Sequence, residues 1–222
     1  MSDEPASPPP NRWVKAWPDA LAFGVGLALA WFNDWQTKDL VWSLWLSSLL
    51  VGYAMIVWDI FGMPVGGLKV AVGGERSVDF SLAGTGIVFV GRLFMLAFFT
   101  VHFGGFHFVH ASILNGFFPV LPGHRGFLDL HIFLRVLADY WPFVLVAAVA
   151  ERKAFRRGPG VVKDSGMMQP YKNVVRLHLL IFFFAFASIA KVGGFAVYAV
   201  VYAVYFFPWR LVRKQEAISD KQ

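Results

Sequence analysis

The residues able to carry chemistry are concentrated in one stretch of the chain. Five of the six histidines, His102, His107, His110, His124 and His131, fall within thirty residues, and one carboxylate, Asp129, lies among them. On a continuous helix His107 and His110 are neighbours three residues apart, and His110 lies within about 80° of His102. Gly104 and Gly105 stand between these last two, where a bend would aim both rings at one point. Neutral imidazole suits zinc, copper, iron or nickel, and aspartate can complete such a set. The stretch therefore reads as a candidate transition-metal site (zinc, copper or iron) built from His102, His110, His107, His124, His131 and Asp129. Its spacing matches no standard metal signature. Structural hydrogen bonding, a pH response and a bound cofactor such as haem stay open beside the metal.

A second candidate is a single charge in an apolar run. Arg92 falls inside the long stretch Phe80–Leu121. A central arginine costs at least about 2.5–3.5 kcal/mol on insertion scales, so it should face protein or water. By depth its expected partner is Asp139, giving an intramembrane ion pair, with Asp59 as the other candidate. The alternative is a polar cavity for an anion, a proton or a lipid headgroup.

Other chemistries are excluded by what is missing. The chain has no cysteine, which removes disulfides, thiolate ligands and cysteine nucleophiles. It has no G-x-x-x-x-G-K-[ST] loop, no G-x-S-x-G elbow and no H-E-x-x-H pair. Rhomboid-type proteolysis needs a serine in a Gly-x-Ser-Gly setting, and Ser188 lies instead in Ala187-Ser-Ile-Ala190. The net charge of +6 sits in loops and at the C-terminus between apolar runs. It points to membrane topology and anionic lipid, and no nucleic-acid partner is expected.

These residues must be positioned by membrane helices. Of 222 residues 57% are hydrophobic and only 15% charged, and the apolar residues come in runs longer than a soluble core needs. The runs are about Trp17–Phe32, Leu40–Met63, Phe80–Leu121, Ile132–Ala150 and Val174–Trp209. Gly24, Gly26, Ala28 and Ala30 give the first a small-residue face. Trp42, Trp45 and Trp58 read as interfacial aromatics of the second. The last run breaks at Lys191-Val-Gly-Gly194 into two spans, and Tyr198, Tyr202 and Tyr205 form a stripe on its second half.

Basic loops set the topology. Arg152, Lys153, Arg156, Arg157, Lys163 and Lys172 form one loop, and Arg210, Arg213 and Lys214 follow Pro208. Both belong on the cytoplasmic side, as do Arg12, Lys15, Lys69 and Arg76. Parity then requires an even number of crossings between Arg76 and Arg152. The expectation is an all-α bundle of six spans in a bacterial inner membrane, with both termini cytoplasmic. At about 1.5 Å per residue Phe80–Leu121 would reach about 60 Å, twice the bilayer core. It is expected to cross once, break at Gly104–Gly105 and continue as an interfacial helix on the outer face. The alternative is two crossings and seven spans. Residues 1–16 read as a disordered cytoplasmic tail, 17–210 as the transmembrane domain and 211–222 as a second cytoplasmic tail.

The segment Val101-His-Phe-Gly-Gly-Phe-His-Phe-Val-His110 resembles a pattern in a family of small bacterial and archaeal membrane proteins known only as a domain of unknown function. That pattern is His-aromatic-Gly followed by Val-His-small, and His102, Phe103, Gly104, Val109, His110 and Ala111 match it. His107 lies outside it. The resemblance implies a class and no activity. The functional expectation is an integral membrane protein with a histidine-lined, metal-binding site at the outer face. The alternatives are an accessory subunit packed against partner membrane proteins or lipid, and a small transporter with a polar cavity at Arg92.

Overall fold

The computed structural model describes residues 12–62 and 82–152, together with residues 155, 175, 179, 180, 182–184, 186, 187, 189, 190, 197, 199 and 201–203. The described residues are all-helical, with four long elements: α1 (Arg12–Phe32), α2 (Thr37–Phe61), α3 (Leu82–Phe117) and α4 (Leu130–Ala150). Three are long and apolar enough to cross a membrane: α2, α4 and the Gly86–Phe117 part of α3. The apolar part of α1, Trp17–Phe32, is shorter. The helix α1 starts at Arg12, inside the segment expected to be tail. The loop Pro64–Arg76, the break at Lys191–Gly194, Tyr198, Tyr205 and the C-terminal tail lie outside the described residues, and most of the basic loop does too.

Helix ends follow local chemistry. The backbone N–H of Gln36 donates to Asp39 Oδ2 at 2.8 Å, so a carboxylate one turn inside α2 occupies an otherwise orphan donor. Asp34 holds φ +50° in the four-residue connection, a left-handed conformation that aspartate tolerates better than most residues. The Trp35 N–H returns to Ala30 O at 2.9 Å, which folds the Trp35 ring back under the helices. Asp129 caps α4 by accepting the Ile132 N–H at 2.8 Å.

α2 packs against both α3 and α4, and α1 packs against α4. The contacts run in a consistent order. Asp19 pairs with Arg152, and Gly26 faces Phe143. Trp35 touches Phe143 and Tyr140, Asp39 accepts from Tyr140, and Trp45 meets Phe133. As α1 and then α2 advance, the position on α4 retreats from 152 to 133. Both helices therefore run opposite to α4 and occupy successive parts of it. Six alternating spans would make α2 and α4 run the same way, and the described helices do not support that arrangement. Two reversals are missing: α1 passes into α2 through the Trp35 turn, and the segment after α3 folds back along it, the Leu128 N–H reaching Ser112 Oγ, so that α4 starts near the Trp45 level and runs parallel to α3.

On α1 the buried small residues are Ala22, Gly26 and Ala30, four apart and so on one face. Gly24, expected on that face, has open space beside it. A Cβ on Gly26 would stand 1.9 Å from Tyr202 Oη, and Tyr202 also stacks on Phe23 at 5.1 Å. The tyrosine therefore wedges between α1 and α4, as a packing residue.

α3 corrects the expectation of a break. It is one helix of 36 residues that passes through Gly104 and Gly105 without interruption, about 54 Å at helical rise. No interfacial segment branches off at the glycines. Two glycines cost about 2 kcal/mol of helix propensity, and the side chains on either side, Phe103 and His107, are both buried against α2. That anchorage on each side of the glycines holds the axis continuous.

Candidate functional site

One stripe of α3 faces α2: Phe99, Phe103, His107, Ala111 and Leu114 are buried at spacings of three and four, as a single helical face requires. Phe103 lies over Gly52, where a Cβ would meet the ring at 2.6 Å. The missing side chain at Gly52 is what admits the phenylalanine.

His107 is the polar centre of this interface. Its Nδ1 lies 3.0 Å from Phe103 O and its Nε2 3.1 Å from Ser48 Oγ. A carbonyl only accepts, so Nδ1 carries the hydrogen. In the neutral ring Nε2 then accepts from the Ser48 hydroxyl. The Trp45 indole N–H donates to His107 O at 2.9 Å, and the Trp42 indole donates to Phe118 O at 2.8 Å. Both tryptophans are fully buried. They are not the interfacial anchors expected of them. They are donors that tie α2 to the α3 backbone. Trp58, 42% exposed, is the one of the three with an outward face.

A different face of α3 lines an open groove of about 900 Å³. His102 and His110 are its polar side chains, and the remaining lining is apolar, from Phe94 and Phe98 through Gly105 and Phe106 to Phe117, together with Phe182. His102 stacks on Phe98 at 5.5 Å and meets Phe106 edge-on at 5.1 Å. Phe106 in turn lies 6.4 Å from His110. The order imidazole, phenyl, imidazole runs along the groove at four-residue steps.

The histidine set does not converge. Among the described residues no group of three or more His, Asp or Glu is placed to hold a metal, and all six expected ligands are described. His102 and His110 share the groove. His107 turns toward Ser48 on α2. His124 and His131 are exposed, and the use made of His124 is its backbone carbonyl, which accepts from Asn115 Nδ2 at 3.0 Å. Asp129 serves as the α4 cap. The unbroken helix explains this: the bend that would have aimed the rings at one point is not there.

Asp139 accepts from Arg135 Nε at 2.8 Å, one turn away on the same helix. His107 and Phe133 both meet Trp45 and so mark a common level. From it Arg92 lies fifteen residues toward the start of α3 and Asp139 six toward the end of α4. Both helices run opposite to α2, so these steps add, to about 30 Å of helix rise. The contact of Tyr53 with Thr100 at 2.5 Å sets a second level. Counted from there, Asp59 and Arg92 fall within about one turn of each other.

Sequence reading missed three residues that position this site. Asp39 holds both the start of α2 and the Tyr140 hydroxyl, at 2.6 Å. Ser48 fixes the His107 ring. Asn115, fully buried, ties the α3–α4 loop down through the carbonyls of His124 and Gly126. Only Asp39 carried a signal, as an acidic residue three positions after a helix start.

No curated protein and no solved structure matches the chain. A family model does, over residues 11–207, so every described residue falls inside it. The chain belongs to a family of unknown function, DUF6498.

Proposed function

We propose that this is a multi-pass integral membrane protein of a bacterial-type inner membrane that binds an apolar molecule of the bilayer in the groove along α3. The groove itself carries the reading: about 900 Å³ on a helix long and apolar enough to cross a membrane. That volume is in the range of small-molecule sites, which are apolar with a few polar groups that orient the ligand. Here those groups are His102 and His110. A water-soluble ligand would give up its hydration for a nearly unbroken apolar wall, whereas a lipid-soluble one loses nothing on leaving the bilayer. In this reading the basic loop that begins at Arg152 and the basic residues after Pro208 face the cytoplasm.

The test is mass spectrometry of protein purified in mild detergent, comparing the wild type with Gly105→Trp. Gly105 is exposed with open space beside it, so the indole fills the groove without disturbing α2. The expected result is a near-stoichiometric lipid-soluble molecule in the wild type and its loss from the variant at unchanged melting temperature. A wild type that holds no such molecule, or equal retention in both proteins, overturns the reading.

A further inference from the structure

We infer that α4 is a self-association helix, whose outward face meets the same face of a second copy of this chain about a two-fold axis along the membrane normal. The inference rests on α4 crossing the membrane and stands apart from the groove on α3. α4 has 21 residues, about 31 Å at helical rise, which matches the hydrocarbon core. Arg135 and Asp139 are the sixth and tenth of them, so both lie within the core when α4 spans it. They pair with each other, yet their side chains stay 57% and 33% exposed. The contact engages Nε and Oδ2, which leaves both Nη groups and the other carboxylate oxygen for a partner outside the helix. Charged groups inside a bilayer face protein or a water-filled cavity. Lipid tails offer them neither donors nor acceptors.

The same face carries a further unmet group. Pro142 lies inside α4 and has no N–H, so the carbonyl of Ala138 lacks its ordinary helical donor. Ala138 is exposed, next to Asp139. Guanidinium donors, a carboxylate oxygen and an acceptor carbonyl thus stand together on one side of the helix. That set is self-complementary: each guanidinium can bridge its own Asp139 and that of the second copy, and the four charges sum to zero. A two-fold axis brings equal levels of α4 side by side, and Asp139 is one turn from Arg135, within reach of an arginine side chain. An unrelated helix would need an acid and a base one turn apart in matching order, which a second copy supplies by symmetry. The surface around the pair also suits packing. His131, Arg135, Ala138, Pro142, Leu145 and Val149, all exposed or half-buried, recur at steps of four and three, the spacing of about 3.5 residues that seams two helices at a shallow angle. Val136 and Phe143, buried in the chain's own core, lie on the other side of the helix. Ala138 is small enough to let the two backbones approach.

The chain has no cysteine, so a single introduced cysteine reports the contact without background. The full chain is reconstituted in phosphatidylcholine liposomes at low protein density and oxidised. Ala138→Cys and Leu145→Cys probe the stripe, and Val90→Cys on the outward face of α3 is the control. The expected result is disulfide-linked dimer from both stripe positions, well above the control. Adding Arg135→Leu or Asp139→Leu to Leu145→Cys should lower the yield about fivefold, the effect of roughly one interhelical hydrogen bond. Mixing these two variants under different tags should give the mixed dimer at several times the yield of either parent dimer, because only the mixed dimer holds one Arg135 and one Asp139. Neither variant keeps the pair within its own helix, so that rescue reads the contact between copies and not helix stability. A stripe yield no higher than the control, a yield indifferent to both leucine variants, or a mixed dimer no more abundant than its parents overturns the inference. So does a native-membrane product of Leu145→Cys at the mass of a different protein in place of the dimer. Failure of Leu145→Cys to react with a thiol reagent in detergent-solubilised monomer overturns it too, since the chain's own remaining residues would then cover the stripe.

Discussion

The most apolar window of α2 has a mean hydropathy of 1.9 and that of α3 1.8, yet 67% of the first is buried and only 11% of the second. The difference lies in neighbours and in a few specific groups. α2 has α4 on one side and α3 on the other. Ser43 and Ser47 direct their hydroxyls to its own backbone, to Leu40 O and Ser43 O, so they cost little when covered. Trp45 finds a carbonyl on α3 and Trp42 one just past its end, and Gly52 opens a seat for Phe103. α3 offers α2 one stripe and turns phenylalanines, valines and isoleucines outward. In a bilayer the lipid tails are as apolar as leucine, so a lipid-facing surface and a protein-facing one need not differ in hydropathy. They differ in small residues and in donors that require an acceptor.

The sharpest way to break this contrast is Trp45→Ala. It removes a fully buried ring and the donor to His107 O, and should cost about 3 kcal/mol or more in reversible unfolding in detergent. A cost near zero would mean that α2 and α3 are not held by this contact. His107→Leu comes next. It keeps bulk, loses the bonds to Ser48 and Phe103, and should cost about 2 kcal/mol. His102→Leu in the same assay should change stability little, and a reversal of that order would contradict the assignment of faces. Gly52→Ala should cost about 1–2 kcal/mol by pushing its Cβ into the Phe103 ring. Phe103→Leu should restore part of that loss in the double variant, a coupling that a double-mutant cycle detects. Smallest is Val90→Ala on the outward face of α3, 64% exposed, expected within about 0.5 kcal/mol of wild type. A larger loss there would show that this face is packed in the native assembly.

Much of the site was legible in part. The stretch around His102 and His110 stood out by residue type and the glycine pair, and it is the stretch that lines the groove. What did not follow was the division of labour within it. His107, discounted because it fell outside the family-like pattern, is the one whose ring links two helices. His102, expected as a ligand, is exposed and stacked on phenylalanines. A rotation of about 100° per residue separates these environments, and only the position of α2 decides which side is inside. Asp129 was noticed as a carboxylate near histidines, and its use is to cap α4. Asp39 fell just outside the expected apolar run, and it joins α2 to α4.

By itself the sequence determined that the described chain would be helical and where α2 and α4 would run to within a few residues. These are local properties, set by runs of apolar side chains and by the demand that every backbone hydrogen bond close within its own helix in lipid. Tertiary structure decided the rest. Hydropathy of 1.8 could not say that α3 continues through Gly104–Gly105, because the anchoring of Phe103 and His107 on α2 outweighs a weak propensity to break. Nor could spacing say that Asp139 would lie far from Arg92, since that depends on α3 and α4 both running opposite to α2; the Arg135–Asp139 pair, four residues apart on one helix, was legible and was missed. The direction of one helix against another is settled by which rings and indoles find partners, and those partners lie 62 residues apart for Trp45 and His107 and 101 for Asp39 and Tyr140.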